Sequence, residues 1–257
     1  MTLLRRLLER TLGFENYLRL ISRAYLRLVG GGWGRARYPE LFFLEQIVKS
    51  GDTCLDIGAN LGYYSVALSR LVGERGRVLA VEPVPLFQRI WQDNVRLSGI
   101  ANTTLLPYAL GATDGSVQMG TPTRHGRVHH GMTKITASGA PGEEFARTYQ
   151  VPLRQPDRLF RDLQRLDFVK CDVEGYEHVV FAHLTATLRR HRPLIQTELN
   201  GHANRRQVAE LLFGLGYTAY QLAPTGSELV PCPPARLLEV AATEPTGDFY
   251  FRMPVAV

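Results

Sequence analysis

The sequence predicts an α/β fold: a parallel sheet with helices on both faces. Three observations carry this expectation. Short continuous apolar runs of strand length recur along the chain and alternate with amphipathic stretches of helix length. The first two of those helices close on glycine, Gly73 and Gly99. Acidic residues stand where the apolar runs stop, at Asp56, Glu82, Asp172 and Glu198, and strand ends are where ligands bind in open parallel sheets.

In chain order, residues 1–36 read as an N-terminal helical extension. Leu18, Ile21, Tyr25 and Leu28 recur at three and four, and Leu4, Leu7, Leu8 and Leu12 do the same one segment earlier. Arg19, Arg23 and Arg27 recur every four residues and form a ridge beside the apolar stripe. Glycines 30, 31, 32 and 34 end the extension. A helix starts near Pro39, with Leu41, Phe42, Leu44, Ile47 and Val48 on its apolar face. "DTCLDIG" (52–58) is a buried strand and "YYSVALSRLVG" (63–73) a helix; "RVLAVEP" (77–83) and "LFQRIWQDNVRLSG" (86–99) repeat the pair. "NTTLLPYAL" (102–110) is a third strand. The stretch 115–150 lacks a period and is expected to be an irregular insertion, a lid over an acceptor site. "LDFVKCDVEG" (166–175) is a fourth strand, followed by a helix from Tyr176 to His191. "PLIQTEL" (193–199) is a fifth strand, followed by a helix over about 204–215. "GYTAYQL" (216–222) and "FYFRMP" (249–254) are late strands expected to pair. Residues 37–257 thus form one domain.

At 257 residues, with 45% hydrophobic and 21% charged content, the chain has an ordinary globular composition. Its net charge is +6, and much of the excess is local: Arg5, Arg6, Arg10, Arg19, Arg23, Arg27, Arg35 and Arg37 face only Glu9 and Glu15. Arginines interrupt every candidate secretory signal, and no run approaches the ~18 apolar residues of a membrane span. Two readings of residues 1–28 stay open. The segment packs on the core or on a second copy in a homodimer, or it lies on an anionic membrane. Nucleic acid is not an expected partner, because no recognition signature accompanies the arginines. Cys54, Cys171 and Cys232 have neither disulfide nor metal-ligand spacing and read as reduced core thiols of a cytoplasmic protein.

The stretch "CLDIGANLGYYS" (54–65) sets an acid, Asp56, just before two glycines four apart, Gly58 and Gly62. A pyrophosphate-binding loop carries Gly-x-Gly-x-x-Gly so that bare amides approach the phosphates. Here Asn60 fills the middle position and Asp56 has the wrong sign for phosphate. A sulfonium ligand with an α-ammonium, S-adenosylmethionine, suits the loop. Glu82 ends the second strand, 26 positions after Asp56, and is suited to ribose hydroxyls. The combination with Pro83 signals a class I methyltransferase.

"DIGANLGYYS", "VEPVP", "LDFVKCDVEGYEHVVFAHL" (166–184) and "RPLIQTEL" (192–199) together resemble the FkbM family of S-adenosylmethionine-dependent methyltransferases. The resemblance covers roughly residues 39–200. It implies a Rossmann-like, mostly parallel seven-stranded sheet with one antiparallel strand, and O-methylation of a hydroxyl on a sugar, glycolipid or secondary-metabolite acceptor. It also implies that Asp56, Gly58, Ala59, Asn60, Gly62 and Tyr63 form the methionine side of the cofactor site. Glu82 with Pro83 would hold the ribose, and Tyr108, Ala109 and Leu110 would contact adenine. Ser65 has two open readings, a hydroxyl donor to the cofactor or a plain helix-surface residue.

An aliphatic alcohol is a poor nucleophile, so a group must accept its proton. Asp172, Glu174 and Glu198, with Asn200 and His202 nearby, are expected to converge over the methyl group. Asp172 serves as base or cofactor contact, or the three acids hold Mg2+; Glu177 is a helix cap or a partner for Lys170. His125, His129 and His130, with Arg124 and Arg127, lie in the expected lid. Two other functions compete. An NAD(P)-dependent oxidoreductase is opposed by Asp56 and by the missing middle glycine. A non-catalytic, membrane- or partner-recruited subunit is opposed by the complete acid set.

Overall fold

The computed structural model describes residues 2–124, 127–138, 143–235, 237 and 247–254. The N-terminal helix α1 (Thr2–Gly30) and α2 (Pro39–Ile47) precede β1 (Thr53–Ile57), α3 (Tyr63–Val72), β2 (Arg77–Val81), α4 (Pro85–Leu97) and β3 (Thr103–Leu106). After a middle section come β9 (Phe168–Cys171), α6 (Glu177–Ala182), α7 (Thr185–His191), β10 (Leu194–Glu198) and α8 (His202–Gly214). The chain ends on β11 (Thr218–Leu222), β12 (Leu229–Pro231) and β13 (Asp248–Arg252).

These strands form a sheet in the order β12-β11-β13-β10-β9-β1-β2-β3. β3, β2, β1, β9 and β10 run parallel, and β13 inserts antiparallel between β10 and β11. The seven expected strands are present, with 216–222 and 249–254 paired through β11 and β13. The three-residue β12 adds an eighth at the edge, antiparallel to β11, so two strands rather than one run against the rest. All five residues of β1 are buried, as both faces of a central parallel strand must be. The connection from β1 leads to β2 on one side, whereas β9 feeds β10 on the other. The crevice for a ligand therefore opens at the carboxyl ends of β1 and β9.

The middle section corrects the expectation of an irregular insertion. β5 (Gly115–Arg124) and β8 (Phe145–Arg154) are ten-residue antiparallel partners, joined by β4 (Ala109–Leu110), β6 (Arg127–Val128) and β7 (Lys134–Ile135) in a second sheet. Val117, Met119, Tyr149, Val151 and Leu153 face the core against Leu61, Leu86 and Phe87. Gly120, Pro122 and Pro152 dilute that alternation in the sequence. Gly120 is needed because a Cβ there would overlap the ring of Phe145. Residues 102–110 likewise serve two sheets: Pro107 lacks a donor, and β4 leaves β3 to pair with β8.

The expected helix from Tyr176 to His191 is two helices. Asp157, on the short α5 (Pro156–Leu159), accepts from the Ala186 and Thr187 amides and the Thr187 hydroxyl at 2.7–3.0 Å and starts α7 afresh.

α1 packs on the domain. Gly13 (φ 75°, ψ 159°) breaks it, and Tyr17, Leu18 and Ser22 are buried against α4 and the second sheet. The arginine ridge is tied to α4: Arg19 pairs with Asp93 and Glu15, and Arg89 reaches Glu15 at 2.9 Å. The expected roles of the Leu4 and Arg6 side chains lie outside the described residues. Cys54, Cys171 and Cys232 are buried and unbridged.

Candidate active site

β1 delivers Asp56 to the head of the sheet with only 1% of its surface exposed. Its Oδ2 accepts from the Ser65 hydroxyl at 2.5 Å, and Ser65 accepts from the Trp91 indole N–H at 2.8 Å. Helix α3 and helix α4 thereby fix the carboxylate. Gly58 turns the chain at φ 82°, and a Cβ there would overlap the carbonyl oxygen of Asp172. Gly62 (φ 91°) lets α3 approach α4, since a Cβ would lie 2.8 Å from Trp91 Cδ1.

Between these glycines Asn60 adopts φ 49°, and its amide donates to Glu82 Oε2 at 2.8 Å. The other Glu82 oxygen accepts from the Val84 amide at 2.8 Å. The acid at the end of β2 is thus built into the loop after β1. Asn60 Oδ1 is buried with no hydrogen-bond partner among the described residues. Asn60 is a lining residue of the adjoining cavity, and a buried acceptor of this kind calls for a donor.

That cavity has a volume of about 340 Å3, within the ~300 to 1,000 Å3 of small-molecule sites. Asp56, Gly58, Ala59, Asn60, Tyr63, Glu82, Pro83, Tyr108, Ala109, Leu110, Asp172, Glu174 and Glu198 all line it. Two expected cofactor residues do not. Gly62 shapes the turn, and Ser65 is fully buried with its hydroxyl committed to Asp56 and Trp91. Both open readings of Ser65, cofactor donor and helix surface, are therefore replaced by a supporting role behind Asp56.

Lys170 sits in the middle of the acids. The strand register sets it between Asp56 of β1 and Gln196 of β10. Its Nζ lies 3.4 Å from Asp248 and 3.8 Å from Asp172, and 5.0 Å above the Tyr64 ring. Burial alone would favour the neutral amine, but Asp248 and Asp172 outweigh it and hold Lys170 charged. A charged side chain inside the apolar run "FVKC" was the signal that sequence reasoning missed, since a buried charge needs partners. Asp248, far along the chain on β13, gave no such signal.

The carboxyl groups outnumber that cation. Burial raises Asp56 to about 6 and Glu82 to about 7, against the hydrogen bonds that favour their ionised forms. Burial and then the charge of Asp172 raise Glu198 to about 7 and Glu174 to about 8. Asp172 is raised by burial as well, with Lys170 opposing. Around neutral pH this cluster shares protons, and a cationic ligand would ionise it further. Glu177 is separate: it accepts from the Val173 and Gly175 amides and from Asn204, closing the turn before α6, and it does not pair with Lys170.

Magnesium does not fit. Among the described residues no three His, Cys, Asp or Glu side chains are grouped to hold a metal ion, and the cation already beside Asp172 is Lys170, which it shares with Asp248. His130 lines the cavity beside Phe87, with ring centroids 6.2 Å apart, and burial lowers it to about 4, so it is neutral. His129 instead donates its amide to Pro122. His202 starts α8 on the surface, and Asn200 donates to Glu174 at 3.3 Å. His125 and the side chains of Arg124 and Arg127 lie outside the described residues. The second sheet also brings Met119, Thr133 and Ile135 to the cavity, residues the sequence left unassigned.

Strand order, the acid-led glycine loop and the ribose-suited acid after β2 together define a class I S-adenosylmethionine-dependent methyltransferase domain. Residues 56–221 match the family profile described as Methyltransferase FkbM domain, and the chain belongs to the FkbM methyltransferase family. It is similar to the protein-L-isoaspartate O-methyltransferase of Caenorhabditis elegans, 22% identical over 150 residues, covering 57% of this chain and 66% of that protein. It is also similar to the protein of that name from Fervidobacterium nodosum, 37% identical over 59 residues, covering 23% of this chain and 30% of that one. Both alignments span less than two thirds of the relative's own length. A Clostridium thermocellum structure assigned as an rRNA-methylase shares the fold, with TM-score 0.51, 11% identity and coverage of 84% of this chain and 95% of that one.

Proposed function

We propose that this protein transfers a methyl group to a hydroxyl oxygen of a small acceptor: a sugar, a glycolipid or a secondary metabolite. The observation that carries this reading is a single cavity running from Asp56, Asn60 and Glu82 to the half-buried acids Asp172, Glu174 and Glu198 beside Lys170. S-adenosylmethionine supplies, when bound, an electrophilic methyl group on a sulfonium. Asp56 and Asn60 Oδ1 accept hydrogen bonds from its ammonium end, and Glu82 accepts from ribose hydroxyls. Tyr108, Ala109 and Leu110 form the adenine end.

Asp172 takes the proton of the acceptor hydroxyl. Lys170 fixes it in orientation, while Glu174 and Glu198 keep it from being the only proton store. Much of the rate comes from holding the acceptor oxygen in line with the methyl group. The apolar wall of Val84, Phe87, Met119 and Ile135 excludes water from that line.

The test supplies methyl-labelled S-adenosylmethionine with panels of sugars, glycolipids and polyhydroxylated metabolites. Label recovered as an ether, stable to mild alkali, supports the reading. Label released by mild alkali, the behaviour of a carboxyl methyl ester, contradicts it, as does label recovered only on nitrogen or carbon.

A further inference from the structure

The arginine-rich N-terminal helix has a second face that the domain does not use. Among the described residues six large hydrophobic side chains are well exposed. Five of them, Leu7, Leu12, Leu20, Leu28 and Trp33, fall within the first 33 residues at 40–58% exposure. Leu20, Ala24 and Leu28 recur every four residues and are exposed: Leu20 and Ala24 lie on the side of α1 away from the buried Leu18 and Ser22, and Leu28, expected on the packed stripe, stands at its solvent flank. Gly32 and Gly34, at φ 83° and 89°, form the turn that follows, and the Trp33 amide donates to the Leu28 carbonyl at 3.0 Å. The Trp33 backbone is thereby held at the C-terminal end of the leucine row. All of these residues precede the family domain at 56–221.

The charge of this face is as uneven as its polarity. Residues 1–37 hold eight arginines and two glutamates, which is the whole formal net charge of +6; the remaining chain is balanced. The two glutamates are neutralised, Glu9 by Arg5 at 2.7 Å and Glu15 by Arg19 and Arg89 at 2.8 and 2.9 Å. Asp93 on the adjoining α4 is shared by Arg19, Arg23 and Arg96. Arg10, Arg27 and Arg37 stand exposed around the leucines.

We propose that the outer face of α1, with Trp33, docks on an anionic membrane surface. Leucines interleaved with arginines, and a tryptophan at one end, match an interface with acyl chains below and acidic headgroups around. A second copy of the chain would bring two like-charged faces together. A nucleic acid would use the arginines but leave Leu20, Leu28 and Trp33 in water. No helix among the described residues is long and apolar enough to cross a membrane, so the contact lies in the interfacial plane.

The test is sedimentation of the full chain with phosphatidylcholine vesicles, with and without phosphatidylglycerol, followed by tryptophan emission. Trp91 is buried, so a blue shift reports Trp33. The protein is expected to sediment only with the anionic vesicles, less so as salt is raised. Replacing Arg10, Arg27 and Arg37 by Gln should weaken binding about 100-fold, roughly fivefold for each cation. Leu20→Ser with Leu28→Ser, and separately Trp33→Ser outside the helix, should weaken it too while melting temperature and S-adenosylmethionine binding stay unchanged. Three results overturn the proposal: equal or absent binding to both vesicle types, a dimer in sedimentation velocity that the leucine changes dissolve, or oligonucleotide binding that survives those changes.

Discussion

In the proposed reaction Asp172 is the base, and its environment would set the pH at which it works. Its neighbours Glu198 and Glu174 titrate near 7 and 8 because burial and mutual repulsion raise them. A base must be deprotonated to act, so a raised value moves the acid limb of the rate profile upward. kcat/KM should therefore rise through pH 7 to 8, as a property of the coupled cluster rather than of one group. Asp172→Asn should leave S-adenosylmethionine affinity within a few-fold and lower turnover by roughly 10²–10⁴-fold; undiminished turnover removes its role. Asp56→Ala, by contrast, should abolish measurable cofactor binding in calorimetry. Asp56 and Glu82 were legible in the sequence because each is a charge that ends an apolar strand. Ser65 was misread because spacing alone does not tell which side of the first helical turn faces the ligand. Trp91, 26 residues further on, decides that.

The elements were legible where burial is two-sided and obscured where packing overrides pattern. β1, β2 and β9 announce themselves as apolar runs. β5 and β8 do not, because Gly120, Pro122 and Pro152 interrupt their pattern; Gly120 answers to the Phe145 ring across the strand pair, which no local window contains. The break between α6 and α7 has the same origin. Asp157 reaches it from 29 positions away and caps Ala186 and Thr187. Losing such a cap costs about 0.5–2 kcal/mol. Asp157→Ala should accordingly lower the midpoint of denaturant unfolding by that amount, leaving cofactor affinity intact because α7 is remote from the cavity lining. A drop in affinity without a drop in stability would contradict this assignment.

For the whole molecule, the acid cavity makes stability depend on pH in a definite direction. Asp56, Glu82, Glu174 and Glu198 titrate near 6, 7, 8 and 7, above the values carboxyl groups have in an unfolded chain, about 4. The folded state therefore binds protons more tightly, and the stability this gives is complete below about pH 4 and lost as pH rises through 6 to 8. Two groups run the other way: Glu15, held near 2 by Arg89 and Arg19, loses its contribution only below 4.5, and His130, lowered to about 4 by burial, offsets one of the four carboxyl groups up to about pH 6.5. The melting temperature of the ligand-free protein should fall by several degrees between pH 5 and 8.5, and saturating S-adenosylmethionine should flatten that slope. A melting temperature that climbs over the same interval would contradict the picture of a proton-sharing cavity.

The cationic preference of that cavity is the central claim, because sheet, glycine loop and acid cluster all converge on it. Isothermal titration of the protein with S-adenosylmethionine and with NAD, at one pH and ionic strength, measures it directly. Heat of binding from the sulfonium ligand, with none from NAD, is the predicted result; saturable binding of NAD, with S-adenosylmethionine silent, would contradict the account.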